Sequence, residues 1–301
     1  MASTPRPTKT IAVYQKDGTL HTLSTTISSI SPLSSLPEEA QALFKKPDVG
    51  DEDEAYVLTT PATIFHPQGG GQPSDTGHMV LEPATPTQQQ AQDQDQDQEA
   101  QPATFHVRHV RHLPPSILHL GLFATPQPAT PLSLQNGAAT QHVDRGPRLL
   151  HSRLHTAGHA LGLAVMSLAT PSPTSSQPPL LPPSLREAKA SHAPGAASVE
   201  FEGLIPSAAK PAIQDAVDAL VARDLGVRIL FVGEEEARGR WGVGVKGDEG
   251  DGVRVVEIVG AGAYPCGGTH VERLGEVGRV VVRGVKRSKG VSRVSYEVVD
   301  V

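Results

Sequence analysis

The chain has 301 residues, one cysteine, 27 prolines and a net charge of −6, with 38% hydrophobic and 4% aromatic residues. That length supports a real core and two domains, while the thin apolar share and uneven prolines leave part of the chain outside any core. A membrane span is excluded by the lack of an apolar run of about 18 residues, an intramolecular disulfide by the lone cysteine, and broad non-specific nucleic-acid binding by the acidic balance. The N-terminus MASTPRPTKT lacks the apolar stretch of a signal peptide, so a reducing, cytoplasmic setting is expected.

The first elements read as β. TIAVYQKDGTLHTL, 10–23, predicts strand, turn and strand about Asp17-Gly18. Residues 55–82 predict short strands around a glycine-rich loop, and ATFHVRHV, 103–110, alternates as a strand. Three low-complexity stretches, 85–102, 123–137 and 170–184, are Gln/Asp-rich or Pro-rich and read as solvated loop insertions. Over 149–169, Leu154, Ala157, Leu161, Val165 and Leu168 recur at spacings of three and four and mark one apolar helix face. A second helix is predicted over 206–226, with Ser207 capping its start, Pro211 near its first turn and Gly226 closing its end. VRILFV, 227–232, predicts a buried strand, VRVVEIV, 253–259, another, and RVVVRGV with RVSYEVV a closing hairpin. The second half is therefore α+β, with helices against an antiparallel sheet.

RLHTAGHALG, 153–162, sets His155 and His159 four apart on the first helix, hence on one side of it. His151 lies one turn further back. Residues eight apart on a helix are separated by about 12 Å of rise, so His151 and His159 cannot share an ion, and spacing alone leaves one of them spare. PCGGTH, 265–270, places Cys266 and His270 four apart, with Gly267 and Gly268 permitting a bend that aims both side chains one way. The resulting Cys/His₃ set suits one zinc ion per chain. Thr156 follows His155 where a zinc-protease helix needs glutamate, so that chemistry is rejected. Residues 279–295 carry six basic side chains and no acidic one. They form either a phosphate-binding face or the solvated outside of a hairpin.

HTAGH and PCGGTH, preceded by TIFHPQGGGQPSDTG at 63–77, resemble the motifs of the alanyl-tRNA synthetase editing domain and its freestanding AlaX-type relatives. VDRGPRLLHSRLHTAGH, 143–159, resembles that family's approach to its metal helix, with Asp144, Arg148 and Arg153 where the family has such residues. The likeness runs, with three insertions, from about residue 10 to the end. His66 stands where the family commonly has tyrosine or phenylalanine, and His151 where it has an apolar residue. The resemblance implies an α+β chain in two parts. A small antiparallel β domain over 1–142 holds the glycine-rich motif and low-complexity insertions. A helix-packed antiparallel-sheet editing domain over 143–301 holds the zinc site and a Pro/Ser-rich insertion near 170–198. With no synthetase catalytic domain ahead of it, the expected activity is trans-editing: hydrolysis of tRNA(Ala) mischarged with serine or glycine.

The implied metal ligands are His155, His159, Cys266 and His270. Thr63 is implied to contact a serine hydroxyl, since a pocket built to hydrogen-bond that group rejects an analogue lacking it. Gly69, Gly70 and Gly71 would bring backbone N–H groups to the ribose or terminal phosphate, and Gln72 would bond the aminoacyl end. Arg283, Lys286, Arg287, Lys289 and Arg293 would meet the acceptor-stem backbone, a contact weakened by salt. Four protein ligands resemble a closed structural zinc site, whereas a catalytic zinc keeps a position open. Two alternatives therefore stand beside the deacylase: a thiol hydrolase using Cys266, and a non-catalytic zinc module that binds tRNA or a synthetase. The oligomeric state is not legible, with a monomer favoured.

Overall fold

A computed structural model describes residues 9–44, 55–84, 102–124, 131–171, 177–242 and 252–300. Most of the Gln/Asp-rich stretch, at 85–101, and parts of the two Pro-rich stretches, at 125–130 and 172–176, lie outside the described residues. The chain divides into two units. One comprises Met1–Gln68 and Ser74–Arg148; the other comprises Gly69–Pro73 and Leu149–Val301. Five residues of the glycine-rich motif thus group with the second unit.

In the first unit, β1 (Ile11–Ala12), β2 (Thr22–Thr26), β3 (Ser29–Pro32), α1 (Glu38–Ala42), β4 (Tyr56–Thr59), β5 (Ala62–Thr63), β6 (Gly77–Leu81), β7 (Ala103–Leu113), β8 (Ser116–Phe123) and β9 (Ala138–Val143) follow in order. Seven of these strands form an antiparallel sheet in the order β2-β9-β6-β7-β8-β4-β3. The hairpin expected over 10–23 does not form. Its turn is present, with Asp17 Oδ1 accepting from the Thr19 backbone N–H at 2.9 Å, but β1 pairs in parallel with β5 and β2 pairs with β9. Local turn chemistry was satisfied without joining the two arms.

The sheet buries both faces along β4. Tyr56 and Leu58 enter one apolar cluster with Phe65, Met79 and Phe105, while Ala55 and Val57 enter another with Phe44 and Leu120, reached by α1. Period-two alternation therefore gives way to a continuous apolar run.

The second unit is organised by α2 (Arg145–Ala169), whose first four residues group with the first unit. This helix begins a turn earlier than the 149–169 expected, because Pro147 in the first turn is compatible with a helix. β10 (Arg186–Ser191), β11 (Ser198–Glu202), α3 (Lys210–Val221), β12 (Val227–Val232), α4 (Glu234–Trp241), β13 (Val253–Ile258), β14 (Gly262–Pro265), β15 (Arg279–Ser288) and β16 (Val291–Val299) follow. Two antiparallel sheets result, in the orders β10-β11-β16-β15 and β12-β13-β14. Leu154, Ala157, Leu161 and Val165 of α2 and Ile213 and Val217 of α3 share one core with Val199, Phe201, Val282 and Val294 of the larger sheet.

Three local expectations are corrected. Ser207 caps no helix: 207–209 is a 3-10 turn, α3 ends with Ala222 as its C-cap, and Gly226 lies beyond it, bridged to Arg273. β12 is a strand but not a buried one, because it is an outer strand of its sheet and Phe231 is 38% exposed. The insertion expected near 170–198 includes a regular strand, β10, whose charged sequence REAKAS suits the edge it occupies. At the other edge, Gln214 of α3 bonds the rim of β15 twice. Its Nε2 donates to Val280 O and its Oε1 accepts from Val282 N–H, both at 2.8 Å.

Candidate metal centre

The geometry of α2 and of the loop after β14 brings His155, His159, Cys266 and His270 together, with one ligand atom from each lying within 4.8 Å of the others. Cys266 Sγ lies 3.3 Å from His155 Nε2 and 3.2 Å from His270 Nε2. His151, buried on the same helix, is outside this group. The choice that spacing left open therefore falls on His159.

The outward nitrogens are held from behind. Gln72 Oε1 accepts from His155 Nδ1 at 2.7 Å, and Thr156 Oγ1 bonds His270 Nδ1 at 3.0 Å. A ligating histidine needs such a partner to fix its tautomer and ring plane. Thr156, the residue that ruled out protease chemistry, thus serves a second ligand. Arg254 of β13 donates to the carbonyls of Cys266 and, at 2.9 Å, of Gly268, and so pins the loop between the two ligands. Tyr264 lies against His159, ring centroids 4.4 Å apart, and donates to Glu187 Oε2 at 2.9 Å.

A fifth histidine stands behind the cluster. His192 stacks on His155 with centroids 4.1 Å apart and planes at 22°. Its Nδ1 donates to the Tyr296 hydroxyl at 2.7 Å, which itself donates to Leu154 O at 2.8 Å. His192 explains a motif glycine: a Cβ at Gly158 would collide with the His192 ring and lie 2.6 Å from the Tyr296 hydroxyl. A Cβ at Gly268 would collide with His155 and lie 2.7 Å from Gln72 Oε1.

Protonation states fit a metal. Burial drives His159 down to about 3, with the nearby His192 and Arg254 adding to the shift, and burial drives His192 down to about 4. His159 and His192 are therefore neutral, as a ligating imidazole must be. Burial pushes the Cys266 thiol up despite hydrogen bonding from Gly268 and the Arg254 charge. His159 Nδ1 is buried without a hydrogen-bond partner. Three imidazoles and one sulfur, with two of the ring nitrogens within 3.3 Å of that sulfur, make a borderline-soft donor set that suits zinc.

The glycine loop closes as a tight turn. Gln72 N–H donates to Gly69 O at 2.9 Å and Gly69 N–H donates to Gln72 O at 3.1 Å. Gly70 and Gly71 have φ of +56° and +81°, which glycine adopts freely. These glycines are exposed, whereas the Gln72 side chain is buried.

Residues 253–295, which include Cys266 and His270, match the model of the threonyl and alanyl tRNA synthetase second additional domain. The chain is 27% identical over 260 residues to the alanyl-tRNA editing protein AlaX-M of Methanosarcina barkeri, an alignment covering 82% of this chain and 90% of that protein. It is 29% identical over 269 residues to the alanine–tRNA ligase of Thermofilum pendens, covering 86% of this chain and 25% of the ligase. The ligase of Frankia alni is 27% identical over 236 residues, 77% of this chain and 23% of the ligase. The chain therefore spans about a quarter of these ligases' length. These matches make the chain similar to the AlaX-type alanyl-tRNA editing family.

Other residues that the family motifs single out sit as follows. Thr63, in the first unit, is fully buried, with its hydroxyl 2.8 Å from His119 Nε2 and 3.2 Å from Gln141 Oε1. His119 Nδ1 donates to Leu58 O at 3.0 Å, so Nε2 is the accepting nitrogen of the neutral ring. His66 is buried edge-on to Tyr14. Asp144 accepts from Thr76 Oγ1 at 2.7 Å. Arg153 donates to Val277 O at 3.1 Å and Asp300 Oδ1 at 2.7 Å. In the β15–β16 hairpin, Arg283 pairs with Glu297 at 3.0 Å and Arg293 with Glu200 at 3.8 Å. Lys286, Arg287 and Lys289 are exposed around the turn and, among the described residues, form no ion pair.

Burial drives His119 down to about 4, only partly offset by its bond to Leu58. A depressed histidine stabilises the fold fully above its unfolded value of about 6.5. That stability is lost as pH falls toward the folded value, because the unfolded ring takes a proton that the folded ring refuses. Acidification from pH 6.5 to 4 should therefore remove about 3 kcal/mol through this residue. Urea midpoints across that window measure the slope, and His119→Gln should flatten it. An equal slope in the variant would assign the acid sensitivity elsewhere.

Proposed function

We propose that the chain is a zinc-dependent deacylase that hydrolyses mischarged tRNA(Ala), with seryl-tRNA(Ala) as its main substrate and glycyl-tRNA(Ala) as the other candidate. The observation that carries this reading is the convergence of His155, His159, Cys266 and His270, with partners already orienting two of the rings. Zinc held there supplies Lewis acidity that polarises a water or the ester carbonyl. The protein's own part is to hold the ligands, orient them through Gln72 and Thr156, and offer exposed backbone at Gly69, Gly70 and Gly71 to the ribose or phosphate.

Thr63 is the serine-reading group in this proposal. Its hydroxyl proton is drawn to His119 Nε2 or Gln141 Oε1 and one lone pair accepts from Phe65 N–H at 3.1 Å, so what it offers a substrate is its second lone pair. A serine hydroxyl can donate to that lone pair, and an alanine methyl cannot. Lys286, Arg287 and Lys289, free of acidic partners among the described residues, supply phosphate contacts, with Arg283 and Arg293 beside them. The protein works as a cytoplasmic monomer carrying one zinc.

A thiol mechanism is disfavoured, because a nucleophilic cysteine needs a lowered pKa and burial raises that of Cys266. The non-catalytic module keeps one specific point in its favour: four protein ligands close a zinc site. One experiment separates these readings. Purified protein with measured zinc is mixed with seryl-, glycyl- and alanyl-tRNA(Ala), and release of the amino acid is followed. Release of serine with alanine spared is the expected result. Zinc-loaded protein that binds tRNA(Ala) but releases nothing establishes the module. Release that survives zinc removal but stops on alkylation establishes the thiol hydrolase.

A further inference from the structure

We infer that Gln72 is a positioning residue for the metal, coupling the shape of the glycine loop to the tautomer of His155, and not a contact for the aminoacyl group. The inference rests on the reading that the four-residue cluster holds zinc. Its basis is the hydrogen-bond account of one side chain. Gln72 is 1% exposed. Its Oε1 accepts from His155 Nδ1 at 2.7 Å and from the Thr269 backbone N–H at 3.0 Å. Its Nε2 donates to Thr269 Oγ1 at 2.9 Å, and that hydroxyl bonds Ser152 Oγ at 2.8 Å. A backbone N–H can only donate, so the amide orientation is fixed with oxygen toward Thr269 and His155. His155 must then carry its proton on Nδ1, which leaves Nε2 bare, 3.3 Å from Cys266 Sγ. The other tautomer would set a ring lone pair against the amide oxygen.

The same residue closes the loop. Gln72 and Gly69 exchange backbone hydrogen bonds, and Gly71 O accepts from His192 N–H at 2.7 Å. His192 in turn stacks on His155. The loop therefore reaches one ligand twice, at its Nδ1 edge through Gln72 and at its ring face through His192. Thr269 ties the same amide to the Cys266–His270 loop, so one side chain joins all three motifs. Binding linkage is reciprocal: whatever Gln72 adds to zinc affinity, zinc returns as order in Gly69–Pro73.

The test is zinc competition against a chromophoric chelator for the wild-type chain, Gln72→Leu and Gln72→Glu. Melting of each metal-free protein accompanies it, with hydrogen exchange over 69–73 in the presence and absence of zinc. Glutamate keeps both acceptor contacts, and Thr269 can turn its hydroxyl to donate. Gln72→Leu should bind zinc about 10- to 100-fold more weakly, Gln72→Glu should stay within about threefold of wild type, as expected where both acceptor contacts survive, and zinc should slow exchange over 69–73 in the wild type and Gln72→Glu but not in Gln72→Leu. In ¹⁵N spectra of the histidine rings, metal-free wild type should show His155 protonated at Nδ1 and Gln72→Leu a mixture of tautomers. Equal affinity in wild type and Gln72→Leu overturns the inference while leaving the zinc reading intact. So does a Gln72→Glu chain that is as weak as Gln72→Leu. A folded wild type that takes up no zinc overturns both.

Discussion

Replacing Cys266 with alanine should strip the zinc and lower the rate of serine release by at least about 10³-fold, equivalent to about 4 kcal/mol of transition-state stabilisation. The sulfur is the atom on which the cluster converges, 3.2–3.3 Å from two ring nitrogens. Without it, three imidazoles on two elements lose their common partner, and binding falls with both the missing thiolate and the loosened loop. Zinc content by mass spectrometry and single-turnover hydrolysis check the result, with far-ultraviolet circular dichroism confirming the fold. A variant that retains both zinc and rate would show the metal is held and used without this sulfur. A variant that keeps its zinc while losing its rate would instead revive the thiol hydrolase.

Arg148→Met should destabilise the first unit by about 3–5 kcal/mol, because it strands a buried carboxylate. Arg148 and Asp75 are almost wholly enclosed, with Arg148 Nη2 2.5 Å from Asp75 Oδ2 and Nε 3.0 Å from Oδ1. Two further guanidinium protons go to Gly18 O at 2.8 Å and Ile64 O at 2.6 Å, and Asp75 Oδ2 also accepts from His66 N–H at 2.6 Å. One ion pair thus fixes the turn after β1, the strand end beside Thr63 and the start of α2. Urea unfolding measures the loss. Adding Asp75→Leu should recover part of it, since removing both charges costs less than removing one. A double variant no more stable than the single one would place the cost in the lost carbonyl contacts.

The clustering of the four candidate ligands was legible because each pair lies within one local segment. Helical spacing brings His155 beside His159, and a glycine bend brings Cys266 beside His270. What holds those ligands was not legible, because it depends on long-range pairing. Gln72 meets Thr269 across 197 residues, and His192 meets Tyr296 across 104. The only advance signals were a glutamine closing a glycine run, a histidine in an otherwise unremarked stretch, and an arginine, Arg254, set among valines. The strand errors have the same origin. Asp17-Gly18 makes its turn, but the partner of each arm lies elsewhere, in β5 and β9. VRILFV is apolar enough for a core, yet β12 has a neighbour on one side only. Segment composition specifies the element, and strand order decides its exposure.

The two hydrogen bonds from Gln214 to β15 carry a consequence for solubility. A ten-residue outer strand offers a second chain a row of unpaired donors and acceptors, the usual template for strand-by-strand aggregation. Gln214 occupies that row at Val280 and Val282, the bulge between Val282 and Gly284 bends the strand just beyond, and Arg283, Lys286 and Arg287 charge the rest. That edge ends on a side chain of its own helix, so a strand added against β15 meets donors and acceptors already taken at Val280 and Val282.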